Sequence, residues 1–156
     1  MKDAPLDAAQ LASLTLLCER INTERSEVAP SSWPTPEELR LRETFDPDAC
    51  LAVYGTLAPG ETNHRLVALL DADWSPCTVK GRRSMRRYPV FTWDPTAEAV
   101  AMQLMRSADL GSAWPRLDRF EGADYRRILV PAVLDGQRVT VANLYQAVDP
   151  VLPSEP

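Results

Sequence analysis

The stretch Leu51-Ala52-Val53-Tyr54-Gly55-Thr56-Leu57-Ala58-Pro59-Gly60 decides how the rest of the chain is read. It opens as a short apolar run ending in β-branched Val53 and aromatic Tyr54, the composition of a strand. Gly55 interrupts the side-chain pattern, and Pro59-Gly60 closes a turn. The residues predict a strand over 50–57 that runs directly into that turn. Such a strand end presents the backbone N–H groups of Gly55, Thr56 and Leu57 in succession. That concavity suits a carboxylate or a developing oxyanion. The plainer alternative is a strand leaving a core through an ordinary turn, and so short a motif does not by itself separate the two.

A second informative segment lies far downstream: Leu117-Asp118-Arg119-Phe120-Glu121-Gly122, followed by Tyr125-Arg126-Arg127. Trp114, Leu117 and Phe120 fall on neighbouring turns of a helix predicted over 109–120. Glu121 then stands at the helix end, with Gly122 as its C-cap. A carboxylate there faces the negative end of the helix dipole. An apolar setting adds desolvation, and both effects raise its pKa toward the range useful for proton transfer near neutral pH. By position alone, Glu121 is an exposed residue in the last turn of a surface helix.

Tyr54-Gly55-Thr56-Leu57, Pro59-Gly60 and Asn63-His64, followed in order by the Glu121 segment, resemble the motifs of the gamma-glutamylcyclotransferase-like (AIG2-like, BtrG-like) family. The resemblance spans residues 50–148 and leaves the N-terminal part unmatched. It implies an α+β fold, a small mixed β-barrel with flanking helices. It also implies an intramolecular aminolysis: the α-amine of a γ-glutamyl compound attacks its own γ-carbonyl, giving 5-oxoproline and a free amine or amino acid. On this resemblance Glu121 is the catalytic acid–base group, while Tyr54, Gly55, Thr56, Leu57, Tyr88 and Tyr125 bind substrate. The backbone of 55–57 holds either the substrate carboxylate or the oxyanion. The implied partner is a small-molecule γ-glutamyl substrate, and no metal or organic cofactor is implied. The alternative of a different class is a non-catalytic small-molecule-binding or interaction module on the same fold. One departure stands at Arg86-Arg87, where the family often carries glycines before its tyrosine-proline pair, here Tyr88-Pro89.

Neighbouring residues have plainer readings. Tyr145 is a further candidate for a pocket wall, although aromatic strand residues are more often core. His64, the single histidine, reads as a capping or structural hydrogen-bonding residue. Asp118 lies at i, i+3 from Glu121 and reads by default as a solvated, salt-bridging neighbour. Ser112 and Cys77 have no adjacent base in sequence, so nothing supports nucleophilic catalysis.

Composition narrows the classes. A chain of 156 residues, 45% hydrophobic and 25% charged, suits one soluble domain with a real core. A net charge of -5 argues against a nucleic-acid surface. Arg82, Arg83, Arg86 and Arg87 form the one basic cluster and read as a solvated loop face. No apolar run approaches the ~20 residues that span a membrane, and the start of the chain lacks a signal-peptide pattern. Cys18, Cys50 and Cys77 are odd in number and lack metal-ligand spacing. They read as reduced, buried thiols of a cytoplasmic protein.

Working outward, residues 6–21 repeat apolar residues at helical spacing, and 22–34 reads as a polar, proline-marked loop. Thr35-Pro36-Glu37-Glu38 starts a second helix, expected to reach Phe45. Residues 1–46 form an N-terminal helical extension, expected to pack on the barrel or on a partner subunit, so that a homo-oligomer is one arrangement open to it. The barrel domain is assigned to 47–150. Within it a short helix is expected over 62–70, strands over 74–83 and 99–105, and two strands over 125–134 and 137–147. Asp135-Gly136 joins the last two as a hairpin turn. Residues 151–156 read as a loose proline-containing tail.

Overall fold

The structure, a computed structural model, describes residues 3–153. Its strands in chain order are β1 (Ala4–Pro5), β2 (Cys50–Val53), β3 (Asp73–Met85), β4 (Pro89–Trp93), β5 (Ala99–Arg106), β6 (Tyr125–Asp135) and β7 (Arg138–Ala147). Its helices are α1 (Ala8–Glu27), α2 (Pro36–Leu41) and α3 (Leu110–Glu121). β2 pairs antiparallel with β5, β5 with β3, β3 with β6 and β6 with β7. A parallel contact between β7 and β2 closes the ring. The result is a five-stranded mixed barrel with flanking helices, the α+β architecture implied by the resemblance.

The two-residue side-chain period of each strand explains how the barrel is filled and clothed. Cys50 and Ala52 of β2 point into the barrel core with Val79, Leu104, Val130 and Leu144. Leu51 and Val53 point outward and are covered by Leu110, Trp114 and Leu117 of α3. A second outer face, built on Leu129, Val139 and Val141, is covered by Leu14, Cys18 and Ile21 of α1. Both faces of β2 are therefore buried, which is why its sequence is a continuous apolar run.

α1 begins with a reciprocal capping box between Asp7 and Gln10. It extends to Glu27, beyond the loop expected from Asn22 onward. The polar residues that suggested a loop have buried partners: Asn22 accepts from Leu129 N–H at 2.8 Å and donates to Leu129 O at 2.9 Å. α2 starts at the expected place, with Thr35 accepting from Glu38 N–H, but stops at Leu41 instead of reaching Phe45. β2 ends at Val53, so the expected strand through Leu57 is half strand and half loop. The helix expected over 62–70 is reduced to one 3-10 turn, His64–Leu66.

β4 is a strand not among those expected from the sequence. It pairs with the far end of β3, and Gly81 makes the crossing possible. A Cβ at Gly81 would lie 2.3 Å from Phe91 Cζ and 2.4 Å from Thr92 O. The arginine cluster is also less loose than expected. Arg82 pairs with Asp94 and donates to Val151 O, and Arg86 donates to Asp149 O and Pro150 O. The tail expected over 151–156 lies partly outside the described residues; within them Val151 is buried and its N–H donates to Thr92 Oγ1. Cys18, Cys50 and Cys77 are free and buried.

Candidate active site

Where β2 gives way to the 54–63 loop, the barrel rim and the end of α3 enclose a cavity of about 550 Å³. Its volume falls in the range of small-molecule sites. Tyr54, Gly55, Thr56 and Leu57 line it from the loop, Tyr88 from the bend before β4, Tyr125 from β6, and Glu121 from α3. All seven residues singled out from the sequence thus meet in one cavity.

The loop is braced from its carbonyl side. Asn63 N–H donates to Thr56 O at 2.8 Å, and His64 Nδ1 donates to Leu57 O at 2.8 Å. Ala58 N–H donates to Gly55 O, and Asn63 Nδ2 donates to Thr56 Oγ1 at 2.9 Å. The Asn63-His64 pair therefore works as a buttress for the loop. Among the described residues, the N–H groups of Gly55, Thr56 and Leu57 donate to no protein acceptor. A run of unspent amides beside a cavity suits an anionic oxygen. Gly55 does not have the left-handed backbone that a tight glycine turn requires; in this loop that conformation belongs to Gly60, with φ +83°. A Cβ at Gly55 would sit 3.5 Å from Pro89 Cβ, an ordinary contact.

Glu121 is placed by the apolar stripe of α3. Leu110, Ala113, Trp114 and Leu117 seat the helix on the barrel, and Glu121 follows one turn later at the rim. Gly122, with φ +72°, ends the helix, and its N–H donates to Asp118 O. Glu121 is half-buried, and burial together with the Asp118 charge pushes its carboxyl up to about 7. Burial is the larger cause, so desolvation dominates here where the sequence argument began from the helix dipole.

Tyrosines wall the site. Tyr54 Oη donates to Tyr145 O at 2.5 Å, and Tyr125 Oη donates to Pro89 O at 3.0 Å. Burial raises both phenols, so both are neutral at physiological pH. Tyr88 is more exposed and stands at the mouth. Tyr145 also lines the cavity, and its hydroxyl donates to Asp118 Oδ1 at 2.7 Å. Asp118 accepts in addition from Arg127 Nε at 2.9 Å and Nη2 at 3.3 Å. It is a fixed member of a partly buried network, contrary to the solvated neighbour expected from its spacing. Phe120 and Asp124 line the cavity as well; Phe120, grouped by its spacing with Trp114 and Leu117, is exposed where those two are buried, and nothing in the local sequence marks Asp124.

A family model described as "Gamma-glutamyl cyclotransferase, AIG2-like" matches residues 51–155, more than half of the chain. The chain belongs to this family. The gamma-glutamyl cyclotransferase, AIG2-like fold is also seen in solved structures. An uncharacterised protein of Pyrococcus horikoshii superposes with a TM-score of 0.53 at 18% identity, over 66% of this chain and 81% of that one. An AIG2-like protein of Mus musculus gives 0.52 at 19% identity, over 67% and 80%. YkqA of Bacillus subtilis gives 0.52 at 22% identity, over 68% of this chain and 38% of that one. At these identities the likeness is one of fold. No curated protein matches the chain.

Among the described residues, no group of three His, Cys, Asp or Glu side chains is placed to hold a metal ion. No helix among them is long and apolar enough to cross a membrane.

Proposed function

We propose that this AIG2-like chain cyclises a γ-glutamyl group to 5-oxoproline and releases an amine or amino acid. The observation that carries the reading is a titratable carboxyl, Glu121, held near pKa 7 in the same cavity as the unspent amides of Gly55, Thr56 and Leu57. An α-amine of pKa about 8 must lose a proton before it attacks. Glu121 as carboxylate takes that proton. The amine nitrogen bonds to the γ-carbonyl carbon, and negative charge grows on the carbonyl oxygen. The loop amides are suited to bind that oxygen or the substrate α-carboxylate. The bond from the γ-carbon to the departing nitrogen then breaks, Glu121 returns the proton to the leaving amine, and the ring nitrogen sheds its remaining extra proton to solvent as the lactam forms. A pKa near the working pH lets one carboxyl serve both steps. Tyr54, Tyr88 and Tyr125 supply the apolar walls that orient the glutamyl chain. The residues in these roles require no metal or organic cofactor, and a cytoplasmic setting is consistent with three free thiols.

The test is a mass-spectrometric screen of γ-glutamyl amino acids and amines for 5-oxoproline release. Glu121→Gln is expected to lower turnover by about 10² to 10⁴, the usual worth of general acid–base catalysis. Undiminished turnover by the folded variant would remove Glu121 from the mechanism. Tight 5-oxoproline binding with no turnover of any γ-glutamyl compound would instead mark a binding module.

A further inference from the structure

A buried polar cluster outside the cavity joins the N-terminal helices to α3. Arg25, in the last turn of α1, is only 2% exposed. Its Nε and Nη2 donate to the two carboxylate oxygens of fully buried Glu38, each at 2.9 Å. Its Nη1 donates to Asn143 Oδ1 at 2.9 Å. Arg127 Nη1 donates to that same oxygen at 2.9 Å, while its Nε and Nη2 hold the Asp118 carboxylate. Asn143 is itself fixed, donating from Nδ2 to Pro47 O at 2.8 Å. The Trp33 ring lies 4.2 Å from the Arg25 guanidinium and 4.8 Å from that of Arg127.

This arrangement exceeds what packing requires. Leu14, Cys18 and Ile21 already seat α1 on the barrel. A buried guanidinium is costly to desolvate, and apolar replacements of buried ion pairs are often neutral or stabilising. The rigid donor fork of arginine is better suited to fixing geometry than to adding stability. Here the fork converges, through one shared acceptor, on the arginine that clamps Asp118, and Asp118 stands one turn before Glu121. Arg25, Trp33 and Glu38 all lie outside the segment matched by the family model.

We propose that Arg25 is a positioning residue for the site: through Asn143 and Arg127 it holds the Asp118 carboxylate beside Glu121. The inference rests on reading Glu121 as the proton-transfer group. The segment preceding the barrel then helps to set the carboxyl that titrates, although it contributes no group to the cavity. Asp118 raises Glu121, and Arg127 offsets part of that charge. Losing Arg25 loosens the Arg127 clamp on Asp118, and the less neutralised Asp118 carboxylate should make Glu121 titrate higher. The other titratable or charged groups facing Glu121 are Tyr54 from the loop after β2, Tyr125 and Tyr145 from β6 and β7, Tyr88 at the mouth and Asp124 beyond the helix; Arg83 donates to Tyr54 O.

The test is an NMR titration of the Glu121 side-chain carboxyl in the full chain, with melting temperatures measured alongside. Arg25→Gln leaves Glu38 buried without its main partner, so Arg25→Gln combined with Glu38→Gln is measured too, as a charge-balanced form that folds more readily. Both are expected to move the Glu121 midpoint upward. In an Asp118→Asn background, adding Arg25→Gln should leave the midpoint where Asp118→Asn alone puts it, since coupled sites are non-additive. An unchanged midpoint with only a lowered melting temperature would overturn the proposal, as would an equal shift with and without Asp118. The titration needs no substrate, so its result stands apart from whether any γ-glutamyl compound is turned over.

Discussion

Glu121→Gln has a consequence for stability that can be measured before any substrate is known. The carboxyl titrates near an ordinary 4.5 when unfolded and near 7 when folded. Between those values the folded protein holds a proton that the unfolded chain has released. The native state then binds more protons than the unfolded state, so stability falls as pH rises through this window and levels off above it. Each tenfold difference in proton affinity is worth about 1.4 kcal/mol, which makes the native state poorer by about 3 kcal/mol above pH 7. Water reaching the half-buried carboxyl makes this an upper figure. Glutamine resembles the protonated acid in size and neutrality and does not titrate. The variant should therefore match the wild type near pH 4 and exceed it by up to about 3 kcal/mol at pH 8, on the order of 6–12 °C in melting temperature for a chain of this size. Urea unfolding of both proteins at pH 4, 6 and 8 gives the comparison directly, and subtraction cancels the other titrating groups. Parallel stability curves, or a variant weaker at pH 8, would refute the claim that burial holds this carboxyl up. Loss of turnover with gained stability is the exchange expected where a site is desolvated for its chemistry.

Gly81→Ala should cost about 3 kcal/mol, because the new Cβ meets Phe91 and the Thr92 carbonyl at under 3 Å and a backbone oxygen cannot step aside; a melting temperature equal to wild type would contradict this. Gly55→Val should fold normally, since the Gly55 backbone is unstrained, yet its methyl groups would crowd the cavity wall beside Pro89. Calorimetry should find weakened 5-oxoproline binding, and normal binding would make the loop a connector only.

What could be read from the sequence was whatever repeats locally. The spacing of Trp114, Leu117 and Phe120 located α3, Asp135-Gly136 located the β6–β7 turn, and the apolar run at 51–53 located a strand buried on both faces. The polar end of α1 was misread because Asn22 and Arg25 look solvated beside their neighbours. Asn22 pairs with Leu129, and Arg25 pairs with Asn143 besides Glu38; Leu129 and Asn143 are more than a hundred residues away, and no local pattern announces such pairings. β4 was missed for a related reason: its strand character comes from pairing with the overlong end of β3 across Gly81. Six of the seven residues expected at the cavity lie in two short motifs and Tyr88 in the separate tyrosine-proline pair, whereas Asp124 enters the cavity only through the way α3 ends at the rim.

Asp118 and Glu121 show why a site can be located in a sequence while its chemistry stays hidden there. Both are carboxylates on one helix, three residues apart, and either one could be the acid–base group on composition alone. The fold separates them by their donors. Asp118 accepts from Arg127 Nε and Nη2 and from the Tyr145 hydroxyl. The Glu121 side chain accepts no hydrogen bond among the described residues, and it stands half-buried against a neighbouring negative charge. A carboxyl with saturated oxygens holds its place, and one without donors is left to exchange its proton with whatever occupies the cavity. The division of labour therefore depends on Arg127 and Tyr145, on strands β6 and β7, and through Asn143 on a helix from the other end of the chain. Exchanging the two carboxylates in sequence, Asp at 121 and Glu at 118, would preserve composition and charge but retract the free carboxyl from the cavity by one methylene and crowd the Arg127 clamp. On the mechanism proposed above, the longer side chain carries the proton and the shorter one, held by Arg127 and Tyr145, is the anchor.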